Sequence, residues 1–167
     1  VDGSAVAEPR NVLAPIGTPM ADVFAFCGGY KEPPQKILYG GPMMGVAVPN
    51  DGVPILKNTN AILAFAAREA RLPEALTCIR CGACMLHCPV GLNPAAIGKA
   101  YQNKDTEALD KLNVNMCMEC GCCAYVCPAH RDLVQNNRLA KDMLRKAKAA
   151  EEAAANAPVN APLPQKE

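Results

Sequence analysis

The sequence predicts an α+β chain in three parts: a small strand-and-helix unit, an all-α region built around two cysteine runs, and a low-complexity tail. Three observations predict it. Residues 1–56 hold short apolar runs separated by proline and glycine. Eight of the ten cysteines fall in two runs of identical spacing, with helix signals between and after them. From Glu151 onward the chain is mostly alanine, then Pro158, Pro162 and Pro164. The expected boundaries are 1–56 for the α+β unit, 57–77 for a helical linker, 78–150 for the cysteine region and 151–167 for a tail. So little of the tail could be buried that it is expected to stay disordered.

In the first unit, Val1 to Ser4 and Val6 read as the end of one strand. Thr18 can cap a short helix with Pro19 at its first position, where a missing N–H costs nothing. Met20, Val23 and Phe24 then share a face, with Phe26 following, and Gly28-Gly29 stops the helix. Ile37-Leu38-Tyr39 and Val46-Ala47-Val48 are strand candidates, joined by the turn Gly40-Gly41-Pro42-Met43-Met44-Gly45. Pro49-Asn50-Asp51-Gly52 is a further turn. Asn60 is expected to cap an alanine-rich helix over 61–70 that bridges to the cysteine region. There, Asn93 caps a helix opening on Pro94, with Ile97, Ala100 and Tyr101 inward. Asp105 caps a second helix with Ala108, Leu109 and Leu112 inward. A longer helix is expected over about 131–148, with Leu133, Ala140, Leu144 and Ala147 as its buried stripe.

Cys78, Cys81, Cys84 and Cys88 read C-x-x-C-x-x-C-x-x-x-C, followed by Pro89; Cys117, Cys120, Cys123 and Cys127 repeat the spacing, followed by Pro128. A tight triplet can reach three irons of a cubane, and the fourth ligand must come from farther away. In the two-cluster arrangement the last cysteine of each run ligates the other cluster. That rule assigns Cys78, Cys81, Cys84 and Cys127 to one [4Fe–4S] cluster, and Cys117, Cys120, Cys123 and Cys88 to the second. Zinc is the rival, but structural zinc usually takes two well-separated C-x-x-C pairs. Disulfides within such short runs would be strained, and nothing marks the chain as secreted.

Gly82, Ala83, Gly121 and Ala124 crowd the loops, allowing either close backbone approach to sulfur or simply tight turns. Cys122 lies off the ligand spacing and reads as a small buried filler; Cys27 reads as a buried hydrophobe at the end of the first helix. His87 and His130 flank the runs, but all eight cluster positions already have a cysteine. No general acid, nucleophile or other catalytic side chain is expected.

Half of the 167 residues are hydrophobic, yet aromatics are 4% and tryptophan is absent. The apolar core is therefore thin, and bound clusters would add folding free energy. Net charge is +1, so no overall field points to nucleic acid. No apolar run reaches the length of a membrane span. Arg131, Arg138, Lys141, Arg145, Lys146 and Lys148 stand against Asp132 and Asp142 on the last helix, which is either a solvated face or a docking surface for an acidic redox partner or an anionic membrane surface. With no initiating methionine, and with Val1 already within a strand pattern, the chain is expected to be the C-terminal piece of a longer protein.

Cys78-Ile79-Arg80-Cys81-Gly82-Ala83-Cys84 and Cys117-Met118-Glu119-Cys120-Gly121-Cys122-Cys123-Ala124-Tyr125-Val126-Cys127-Pro128 are preceded by Gly40-Gly41-Pro42-Met43-Met44-Gly45 and followed by Leu133-Val134-Gln135 and Arg138-Leu139-Ala140-Lys141. Together they resemble the C-terminal part of the C subunit of the Rnf ion-translocating electron transport complex, over nearly all of residues 1–150. The resemblance implies that the first unit is a β-grasp of the soluble-ligand-binding (SLBB) type and that the clusters sit in an α-helical ferredoxin-like domain. It implies a peripheral protein on the cytoplasmic face of the inner membrane, passing single electrons to other subunits of a membrane electron transport complex. It also implies FMN and NADH on an N-terminal domain, and no glycine-rich dinucleotide motif occurs here. A corrinoid reductase of similar layout, another iron–sulfur adaptor protein and a zinc-stapled interaction module are the alternatives.

Overall fold

The structure is a computed structural model, and it describes residues 1–155. The chain forms two compact units, the first Val1–Glu74 and the second from Ala75 onward.

The first unit is built on a three-stranded antiparallel sheet in the order β2-β1-β3, where β1 is Lys36–Tyr39, β2 is Val46–Val48 and β3 is Ile62–Phe65. Ile37 sits opposite Val48 on one side and Ala64 on the other. Helix α1, Met20–Phe26, lays Met20, Val23 and Phe24 into a core with Val6, Ile37 and Ile62, while Phe26 is exposed. Each large apolar side chain buried there contributes about 1.5–3 kcal/mol. Cys27 is fully buried in the same core, as expected of a small hydrophobe. Tyr30 packs tilted on Phe24, ring centroids 5.1 Å apart, and donates its hydroxyl to Asp51 Oδ2 at 2.9 Å. Burial first, and then Asp51, holds its phenolic proton well above the usual range.

Two expectations are corrected here. The start of α1 has no side-chain cap: the Thr18 hydroxyl donates instead to the Pro15 carbonyl at 2.8 Å. The helix expected over 61–70 is a strand for its first half, with only Ala67–Ala70 helical, as α2. The predicted helical linker at 57–77 therefore lies largely inside the first unit. Helix propensity is a weak determinant even for alanine, and pairing against β1 overrides it while burying Ile62, Leu63 and Ala64. Gly3 shows how closely the chain passes: its φ is +118°, and a Cβ there would fall 2.1 Å from the Ala64 carbonyl oxygen. Asp2 N–H and Ala64 N–H donate to the Ile62 and Asp2 carbonyls across this contact.

The second unit is helical. Short helices α3 (Ala83–Leu86) and α6 (Cys122–Tyr125) lie within the cysteine runs. Between the runs stand α4 (Pro94–Gln102) and α5 (Thr106–Lys111), followed by a single 3₁₀ turn at Val114–Met116. The long helix α7 is Leu133–Ala155. Asn93 Oδ1 accepts from Ala96 N–H and Asp105 Oδ1 from Ala108 N–H, the two caps expected from sequence. Leu92, Ile97, Ala100, Leu109, Val114, Ala140 and Leu144 form the core. α7 runs farther than expected: Glu151–Ala155 are helical, because good helix formers extending an existing helix bear no nucleation cost. The rest of the expected disordered tail, residues 156–167, lies outside the described residues. Among the described residues, no helix is long and apolar enough to cross a membrane.

Candidate metal centre

The two cysteine runs fold alike, each feature recurring 39 residues later. Arg80 and Gly82 take left-handed φ values of +57° and +76°; Glu119 and Gly121 take +58° and +83°. The third cysteine of each run, Cys84 or Cys123, then rides on a short helix, and the fourth, Cys88 or Cys127, follows its end. Alternating backbone handedness turns successive N–H groups inward and makes concave anion sites, many of them iron–sulfur sites. Glycine adopts this conformation freely, and a Cβ on Gly82 would meet nothing within 4 Å. Gly82 is thus required by its turn, not by close packing. Arg80 and Glu119 hold the same conformation at a cost of about 1–2 kcal/mol each, strain that persists only where the surroundings enforce it.

The fourth cysteine of each run lines a cavity with the first three of the other run. Cys78, Cys81, Cys84 and Cys127 line one open cavity of about 730 Å³. Cys88, Cys117, Cys120 and Cys123 line a second, much smaller one of about 20 Å³. Leu76 N–H donates to the Ala129 carbonyl at 2.9 Å, tying the approach to the first run to the end of the second. Cys88 and Cys117 pack against the same helical core, which brings the fourth thiol of the first run to the second set.

The surroundings of the two sets differ. The open set is lined by Arg80, Lys99 and Arg131 and, among the described residues, by no acidic one. Its Cys81 is exposed. In the tight set Cys123 is buried, and burial pushes its thiol up to about 11. Coordination would reverse this, because a metal deprotonates its thiol ligands. Leu92 N–H donates to Cys88 Sγ at 3.3 Å, and Asn137 Nδ2 donates to Cys117 Sγ at 3.4 Å. Glu119 is held by two cations of α7, Arg138 Nε at 3.0 Å and Lys141 Nζ at 2.7 Å. The hydrogen bond from Lys141 leads in holding the Glu119 carboxyl below its usual value. Lys141 Nζ also donates to the Cys117 carbonyl at 3.0 Å.

Eight soft donors in two sets of four fit thiolate-loving metals. Among the described residues, no three His, Cys, Asp or Glu side chains converge as a single ion would need.

Several residues stand aside. His87 is exposed, its Nδ1 2.9 Å from the Ala83 carbonyl oxygen of its own helix. His130 is exposed at a left-handed turn, the place Gly91 takes in the first half. Neither histidine lines either cavity. Cys122 is half-buried and not the buried filler expected; it opens α6, and a hydrogen bond with the Cys120 thiol is the first cause of its raised value. The basic residues of α7 are largely paired: Arg138 and Lys141 with Glu119, Arg145 and Lys146 with Asp142, and Lys148 with Asp110. These five cations share three carboxylates, so the face keeps a net positive charge.

Comparison with known proteins agrees with this division. Residues 1–47 match the SLBB domain family, and residues 72–128 match the 4Fe-4S dicluster domain family. The C subunit of the ion-translocating oxidoreductase complex of Rhodobacter capsulatus is 39% identical over 144 residues, which is 86% of this chain. The chain is homologous to part of the C subunit of the ion-translocating (Rnf) oxidoreductase complexes. Two other relatives are C subunits as well. That of the Na(+)-translocating ferredoxin:NAD(+) oxidoreductase complex of Acetobacterium woodii is 37% identical over 83% of the chain. That of the proton-translocating ferredoxin:NAD(+) oxidoreductase complex of Clostridium ljungdahlii is 44% identical over 58%. The chain spans 28%, 31% and 21% of the lengths of these three relatives, in the order given.

Asn137 is the site residue that the apolar pattern overlooks. It stands four residues after Leu133 and three before Ala140, so the helical spacing of the buried stripe already includes it. Tracing the stripe through apolar residues alone passes over it.

Proposed function

We propose that this chain relays electrons within a membrane-associated ion-translocating NADH/ferredoxin oxidoreductase of the Rnf type. Iron–sulfur electron transfer is supported by the dicluster family match and by the named relatives. The finer reading has two [4Fe–4S] clusters, Cys78, Cys81, Cys84 and Cys127 holding one and Cys88, Cys117, Cys120 and Cys123 the other. The grouping of thiols around two separate cavities, each set taking its fourth member from the other run, carries this reading. Each cluster, when bound, supplies one-electron chemistry.

The protein's own part is to bind and to tune. Left-handed turns at Arg80, Gly82, Glu119 and Gly121 bend the loops around the thiols. Arg138 and Lys141 fix the loop of the second run through Glu119. Arg80, Lys99 and Arg131 favour added negative charge at the open set. In the whole protein, FMN and NADH would be handled by a further domain, and electrons would pass to other subunits at the cytoplasmic face of the inner membrane. No nucleic acid takes part.

Anaerobic purification with iron and sulfide analysis tests this reading. About eight irons per chain are expected from two cubanes. A colourless protein holding zinc alone would leave it a metal-stapled interaction module.

A further inference from the structure

Asn137 is 1% exposed, in the second turn of α7, and its carboxamide lines the tight thiol set. Nδ2 donates to Cys117 Sγ at 3.4 Å. Oδ1 is buried and, among the described residues, has no hydrogen-bond partner. A buried amide satisfied on one side only is an unfavourable choice for packing, and an apolar residue would fill the stripe between Leu133 and Ala140 without that penalty. What the amide offers and an apolar residue lacks is a donor to sulfur. A ligating thiolate only accepts, so the NH₂ end is the one that serves it.

The first half of the repeat differs at this place. Thirty-nine residues earlier, α4 has Gly98 in the equivalent position, where a Cβ would meet Asn136 Nδ2 at 3.5 Å. Glycine has no side chain with which to make the same bond. One thiol set has a dedicated side-chain donor from the helix behind it; the other has none at that place.

We infer that Asn137 is a positioning and tuning residue that raises the reduction potential of the group held by Cys88, Cys117, Cys120 and Cys123, and of that group alone. One electron entering that group increases its negative charge by one, and a donor to Cys117 Sγ stabilises the more negative state. Hydrogen bonds to ligand sulfur are an established lever on cluster potential. The inference rests on the electron-relay reading above, and its test separates the two.

The experiment is redox-titrated EPR on the anaerobic chain, wild type against Asn137→Leu and Asn137→Asp, with iron analysed in each. Leucine keeps the branched skeleton and removes the donor; aspartate keeps the shape and places an acceptor beside the thiolate. The expected result is wild-type iron content, a lower midpoint for one of the two signals in each variant that loads, and an unmoved second signal. Unchanged midpoints in a loaded variant would overturn the inference, and so would both midpoints moving together. If neither variant loads iron while each remains helical, Asn137 is a scaffold residue and the tuning role falls. Absence of iron from the wild type would overturn the relay reading instead.

Discussion

The two thiol sets arise from one spacing used twice, yet they sit in unlike surroundings. Cys78, Cys81, Cys84 and Cys127 border an open, cation-lined cavity. Cys88, Cys117, Cys120 and Cys123 border a much smaller one backed by α7. The loops themselves are alike down to their left-handed residues. The difference comes from what packs behind them: α7 brings Asn137, Arg138 and Lys141 to the second run, whereas α4 has Gly98 in the place of Asn137. Ligand spacing dictates that a site forms; the neighbouring helix sets how buried, how hydrogen-bonded and how rigid it is.

Metal removal should have the largest effect. The second unit has few large apolar side chains, and its metal-binding free energy is folding free energy. Anaerobic chelation is expected to strip most hydrogen-exchange protection from residues 75–155 while residues 1–74, with their own core, keep theirs. Equal loss in both units would contradict the division. Chelation should also proceed in two phases, the open set losing iron severalfold faster than the tight one, as followed by the decay of the two EPR signals.

Single substitutions act more weakly and on one set at a time. Lys141→Met removes one of the two cations on Glu119 and the bond to the Cys117 carbonyl. It should weaken the second site by about 1 kcal/mol, the scale of partly exposed pairs, and leave the first site's signal unchanged. Arg80→Gly relieves a left-handed strain in the open set. The gain is at most about 1 kcal/mol, because glycine also loosens the unfolded chain, and denaturant unfolding of the loaded protein would read it. Glu119→Gly is not its equivalent: there the same relief comes with the loss of both ion pairs, and a net loss of stability is expected.

Much of this architecture was legible in the residues. Asn93 and Asp105 announced α4 and α5 because a capping side-chain oxygen satisfies a helix N–H locally, with no need of tertiary context. Cysteine spacing likewise encodes a local loop. The strand at Ile62–Phe65 was not legible, because its partner β1 lies more than twenty residues away and its own composition favours a helix. The left-handed φ of Arg80 and Glu119 was equally hidden, since nothing about those side chains asks for it. Asn137 was readable from helical period, but only by admitting a polar residue to an apolar stripe.

The exchange of fourth cysteines is tested most directly by EPR of the reduced, anaerobic Cys127→Ser variant beside Cys84→Ser and Cys123→Ser. Serine at Cys127 is expected to alter the same signal as serine at Cys84, forty-three residues away in sequence, and to spare the signal altered at Cys123. If Cys127→Ser instead perturbs the Cys123 signal, each run closes on its own group, and the account of two interlocked thiol sets is wrong.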